Sequence, residues 1–205
     1  HLDRIPLEVF HHIIKFIPFS KTLPLSALSQ SLRARVKFCY EADLESLLRH
    51  FVEQPGAFRD KLRSTNSIIT GSAALAFVDP SLTDWSSPHC VNDLDIFCLE
   101  RYFIPMVIYL LTEEGYEPDP HCTQPNTHMG EYTCNPSISS TICLKKKTKY
   151  GDRLVDVVQC SDGVTSAFRP ITCFHSTAVM NWLTADSITV TYPALTFSRK
   201  SIIHP

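Results

Sequence analysis

Two short stretches decide how this chain is read: Ile68-Ile69-Thr70-Gly71-Ser72-Ala73-Ala74-Leu75-Ala76-Phe77 and Asn92-Asp93-Leu94-Asp95-Ile96-Phe97. The β-branched pair Ile68-Ile69 predicts the end of a short buried strand. Gly71 and Ser72 break it, and the Ala-rich run that follows is helix-prone. A strand ending in Gly-Ser at a helix start gathers free backbone N–H groups and the positive end of the helix dipole, a ready site for phosphate. In the second stretch, strand alternation puts Asp93 and Asp95 on one face and Leu94 and Ile96 on the other. Paired carboxylates repel unless a cation lies between them. Hard, oxygen-seeking Mg²⁺ (or Mn²⁺) suits them and completes its shell with substrate phosphates and water.

A third carboxylate comes later. Leu154-Val155-Asp156-Val157-Val158 is a strand-like run in which an unpaired charge would be costly, so Asp156 is expected to face a metal or a partner. Ser139 to Lys147 and Arg153 to Cys160 flank Thr148-Lys149-Tyr150-Gly151-Asp152, a hairpin signal. With its turn centred on Tyr150-Gly151, Lys145 would fall opposite Asp156 and share a face with Lys147. Either lysine would then contact a triphosphate or steady Asp156, or simply belong to a solvated basic turn.

Gly71-Ser72 followed by Asp93-Leu94-Asp95-Ile96 resembles the signature of the nucleotidyltransferase-fold superfamily, the DNA polymerase beta-like enzymes. The gap from Ser72 to Asp93 is longer than the family's, with Asp79-Pro80, Trp85 and Ser86-Ser87-Pro88 reading as an inserted loop. The resemblance implies an α+β fold with a mixed sheet and flanking helices over residues 67–205. It implies catalytic and metal-holding roles for Asp93, Asp95 and Asp156. Gly71 would let phosphate approach, and Ser72, Lys145 and Lys147 would contact the nucleoside triphosphate. The implied reaction is transfer of a nucleotidyl group to an acceptor, with Mg²⁺ or Mn²⁺ as cofactor.

Residues 1–40 carry their own pattern. Ile5-Pro6-Leu7-Glu8 puts a proline in the first turn of a helix, with Asp3 as its cap. Val9, Phe10, Ile13, Ile14 and Ile17 repeat at helical spacing up to Pro18, and Leu25, Leu28, Leu32 and Val36 make a second stripe. This segment resembles an F-box, the small all-α module that docks on a Skp1-type adaptor of ubiquitin ligases. The alternative function is therefore a catalytically silent binding module serving as a substrate adaptor; the bland reading of the segment is a helical pair packed on the next domain. Residues 41–66 read as a helical connector, with Leu44, Leu47, Leu48 and Phe51 as one stripe and Ala57 to Leu62 as a shorter piece.

The remaining segments are quieter. Tyr102 to Glu114 predicts a helix closed by Gly115, making a crossover between parallel strands, and 117–137 predicts a long loop. Pro170 to Trp182 predicts a buried helix carrying His175, a candidate general base, and Ser187–Tyr192 a strand. That C-terminal stretch is similar to one in fungal proteins that pair an F-box-like start with this domain.

Over 205 residues the formal net charge is only −2, which gives no electrostatic indication of a nucleic-acid or membrane-surface partner. No apolar run matches a membrane span and no signal-peptide pattern opens the chain. The eight cysteines are scattered without any Cys-x-x-Cys, so reduced thiols in an intracellular protein (cytoplasm or nucleus) are expected. His121, Cys122, His128 and Cys134 form the one grouping that suggests zinc.

Overall fold

A computed structural model describes residues 2–82, 91–120 and 135–203. The chain divides into two compact units, His1–Leu47 and Leu48–Pro205. The expected connector 41–66 is not a piece of its own. Its first residues are the last turns of a long helix, and its remainder belongs to the second unit.

The first unit is all helical. After a 3-10 turn at Leu2–Arg4 come α1 (Leu7–Ile14), α2 (Phe19–Ala27) and α3 (Gln30–Leu48). Phe10, Ile14, Leu32, Val36 and Cys39 form its core, with Ile5, Ile17, Leu25 and Tyr40 packed around them. The second expected stripe is split between two helices, because the Ser29 hydroxyl accepts from the Leu32 N–H at 3.1 Å and starts α3 afresh. Pro6 stands just before α1 rather than inside its first turn; the Asp3 side chain lies outside the described residues. His11 Nε2 meets Asp43 Oδ1 at 2.8 Å, tying α1 to α3.

The second unit is a mixed α+β domain built on one seven-stranded sheet, as expected in class. Its elements are α4 (Pro55–Thr65), β1 (Ile68–Thr70), α5 (Gly71–Val78), β2 (Asp93–Cys98), α6 (Glu100–Thr112), β3 (Glu117–Pro118), β4 (Ile138–Thr148), β5 (Gly151–Cys160), β6 (Asn181–Leu183), β7 (Ile188–Val190) and α7 (Pro193–Thr196). The sheet order is β3-β4-β5-β2-β1-β6-β7. Every pairing is antiparallel except β2 with β5. The expected crossover after α6 therefore exists, but it returns through the second arm of the β4–β5 hairpin. Leu94, Ile96, Val155 and Val157 are wholly buried on one sheet face. On the other face Ile68, Phe97, Val158 and Cys160 are covered by Ala167, Ile171, Phe174 and Met180.

The cover over that second face is not the helix expected for 170–182. It is two 3-10 turns, Arg169–Cys173 and Thr177–Val179, followed directly by β6. Phe174 and Ser176 are extended, and the Ser176 hydroxyl caps the second turn by accepting from the Ala178 N–H. A proline and β-branched Ile171, Thr172 and Thr177 disfavour a continuous helix here, and the apolar spacing instead reports a coil pressed onto the sheet.

Candidate active site

The bend between β1 and α5 is built around Gly71, whose φ is +70°. Thr70 is anchored beside it, its hydroxyl donating to the Asn181 carbonyl at 2.7 Å. A Cβ on Gly71 would collide with Asp95 Oδ2 and lie 3.2 Å from the carboxyl carbon. The bare glycine thus makes room for the Asp95 carboxylate, where the sequence suggested room for phosphate.

The carboxylates share a face. The parallel ladder pairs Asp93 with Leu154 and Asp95 with Asp156. Adjacent strands in register put partner residues on the same side, about 4.8 Å apart. Asp93 follows on that side by alternation. Asp95 is 7% exposed, whereas Asp93 and Asp156 are half-buried. The Ser72 hydroxyl, expected at the phosphate, donates to Asp93 Oδ1 at 3.2 Å and orients that carboxylate.

Three carboxylates from neighbouring strands, beside a helix start, have the donor chemistry of a Mg²⁺ or Mn²⁺ site. Among the described residues, however, no group of three or more His, Cys, Asp or Glu side chains converges as a metal cage. Asp93 is turned to Ser72 and Asp95 lies against Gly71. The residue types and their common face fit a hard cation; holding one requires the side chains to swing together.

The hairpin turn comes one residue earlier than expected. Thr148 pairs with Gly151, leaving Lys149-Tyr150 as the turn, and the Thr148 hydroxyl accepts from the Tyr150 N–H while donating to the Gly151 carbonyl. Cys143 therefore faces Asp156, while Lys145 faces Leu154 and Lys147 faces Asp152. Lys145 and Lys147 do share the carboxylate face. Yet Lys145 reaches Asp119 Oδ1 at 3.5 Å, at the β3 edge, and Lys147 is exposed.

Other candidates separate from the site. His175 is exposed on the coil. His121, Cys122, His128 and Cys134 lie outside the described residues, as do Trp85 and Ser86-Ser87-Pro88. Burial pushes the Cys98 thiol up to about 12 and those of Cys39 and Cys160 up to about 11, so these three are inert packing groups. Cys143 is disulfide-bonded, which departs from the expectation of uniformly reduced thiols.

Two groupings had no sequence signal. Glu114, buried, accepts from the Glu53 N–H at 2.7 Å and from the Tyr109 hydroxyl at 3.1 Å, closing the end of α6. Phe168 and Trp182 stack at 5.3 Å between centroids with planes 10° apart. In the first unit, Phe16 is 77% and Leu28 72% exposed, and Val9, Leu23 and Phe38 are also open to solvent.

No helix among the described residues is long and apolar enough to cross a membrane. No protein-family model matches the chain, and no curated protein and no solved structure matches it.

Proposed function

We propose that the sheet unit is a metal-dependent nucleotidyltransferase-like module that moves a nucleotidyl group from a nucleoside triphosphate to an acceptor hydroxyl. The observation that carries this reading is the alignment of Asp95 with Asp156 across the parallel pair, with Asp93 on the same face and the Gly71-Ser72 bend alongside. Asp93, Asp95 and Asp156 would hold Mg²⁺ or Mn²⁺, which when bound neutralises phosphate charge and acidifies a hydroxyl. Backbone N–H groups at the start of α5 bind the phosphates. Ser72 keeps Asp93 turned toward that helix start. Asp156 receives the proton of the attacking hydroxyl. The new bond joins the acceptor oxygen to the α-phosphorus, the α–β phosphoanhydride bond breaks, and pyrophosphate leaves.

Calorimetry tests this with the whole chain. Nucleoside triphosphate should bind only with Mg²⁺ or Mn²⁺, and Asp95→Ala should abolish the binding. Equal affinity with and without metal would sink the reading.

One observation favours a second role for the first unit. Phe16, Leu28, Leu23, Val9 and Phe38 are large apolar side chains that the first unit leaves open to solvent, which suits an F-box-like docking surface. As an adaptor, the chain would capture purified Skp1-type protein through residues 1–40, and Phe16→Asp with Leu28→Asp would release it. Unchanged capture by that double variant, or none by the native chain, would remove the adaptor reading.

A further inference from the structure

The aromatic pair Phe168–Trp182 lies on the carboxylate side of the sheet. Ile69 of β1 pairs with Ile96 of β2 on one flank and with Leu183 of β6 on the other, both antiparallel. Leu183 is therefore level with Ile96, and Trp182 is level with Asp95. Alternation turns Trp182 to the opposite face from Leu183, which is the face of Asp95. The packing agrees: Trp182 touches the cluster of Ile68, Phe97 and Val158 on that face. Two strand spacings, about 10 Å, separate Trp182 from Asp95.

The pair has the form of a platform. Trp182 is partly buried against the sheet, and Phe168 lies on it nearly parallel while remaining 46% exposed. A large ring held flat by a second ring, with half its surface left to water, is a poor core contact. It is a good surface for a third ring, since every nucleobase has a π-face and stacking is tolerant of base identity. The separation from the carboxylates is of the order of the reach from a nucleotide's phosphates to its base.

We infer that Phe168, backed by Trp182, is the stacking surface for the base of the nucleotide whose phosphates bind at the start of α5, beside Asp93 and Asp95. This rests on the nucleotidyltransferase reading and extends it to recognition of the base. Because stacking tolerates any base, weak discrimination among ATP, GTP, CTP and UTP is expected.

The test measures Mg²⁺-dependent binding of ATP and of inorganic tripolyphosphate, which has phosphates and no base. Trp182 emission serves as a second signal in a Trp85→Phe background, since the chain has two tryptophans. ATP should quench Trp182 and tripolyphosphate should not. Phe168→Ala should weaken ATP by about 5- to 150-fold and leave tripolyphosphate unchanged, while Phe168→Tyr restores ATP affinity. Phe168→Leu, which keeps apolar bulk, guards against a folding defect and should weaken ATP as well. If Phe168→Ala binds ATP as the native chain does, the platform is overturned while the phosphate site stands. If neither ATP nor tripolyphosphate binds the native chain, the nucleotidyltransferase reading fails and takes the platform with it.

Discussion

Replacing Gly71 with alanine probes the bend on which the acidic face is assembled. Two costs follow from the geometry. The φ of +70° disfavours an L side chain, by about 1–2 kcal/mol for a left-handed residue. The new methyl also collides with Asp95 Oδ2, and moving that buried carboxylate off its rotamer costs about 0.5–1.5 kcal/mol more. The sum, roughly 1.5–3.5 kcal/mol, corresponds to a fall in Tm of about 3–14 °C for a unit of this size. Denaturant unfolding followed by circular dichroism measures it. The two costs separate in a double-mutant cycle. Truncating Asp95 to alanine leaves only its Cβ, 3.7 Å from the added methyl, an ordinary contact. Gly71→Ala together with Asp95→Ala should therefore recover the collision cost, with a coupling of about 0.5–1.5 kcal/mol, and keep the φ cost. Strict additivity, or a Gly71→Ala protein as stable as the native one, would refute the argument that Asp95 fills the space beside the glycine.

Perturbing three other residues has expected outcomes. Burial, with Arg153 and Lys149 adding like charge, holds His50 down at about 4 instead of 6.5. The unfolded chain then binds a proton between pH 6.5 and 4 that the fold refuses. Stability should fall through that window as pH drops, by at most ~1.4 kcal/mol per pH unit, and level off below it; a His50→Phe protein with the same pH slope would contradict this. Glu114→Ala strips the acceptor from the Glu53 N–H and the Tyr109 hydroxyl and should cost about 1–3 kcal/mol in urea unfolding. Burial, then the Glu114 charge, holds Tyr109 above its ordinary value, so the same variant should ionise Tyr109 at lower pH in an ultraviolet titration. Ser72→Ala removes one hydrogen bond to Asp93, about 0.5–1.5 kcal/mol at most, and should weaken Mg²⁺–nucleotide binding more than it weakens the fold.

What could be read from the residues alone followed from the two simplest periods. Alternation put Asp93 with Asp95 and buried Leu94 with Ile96, and the β-branched run before Gly71 marked β1 and the start of α5. Pairing between strands was less legible. One residue's difference in the hairpin turn moved Lys145 from Asp156 to Leu154, because a period of two fixes the face and leaves the register to the turn. The segment 170–182 misled because an apolar coil lying on a sheet can repeat at helical spacing without helical hydrogen bonds. The contact of Asp95 with Gly71 and the stack of Phe168 on Trp182 join residues far apart in the chain. No local pattern encodes either one.

The single parallel pairing has a consequence for how the acidic face comes into being. β2 emerges from the ribosome carrying Asp93 and Asp95, but the strand that lies against its flank arrives only after α6, β3 and β4 have been made. Such long-range closure is slow compared with hairpins and helices. A nascent chain halted at the β4–β5 turn already contains the residues of the glycine bend and of the acidic strand, yet still lacks Asp156 and the strand that carries it. Translation itself thus withholds the third carboxylate until the sheet can close around it.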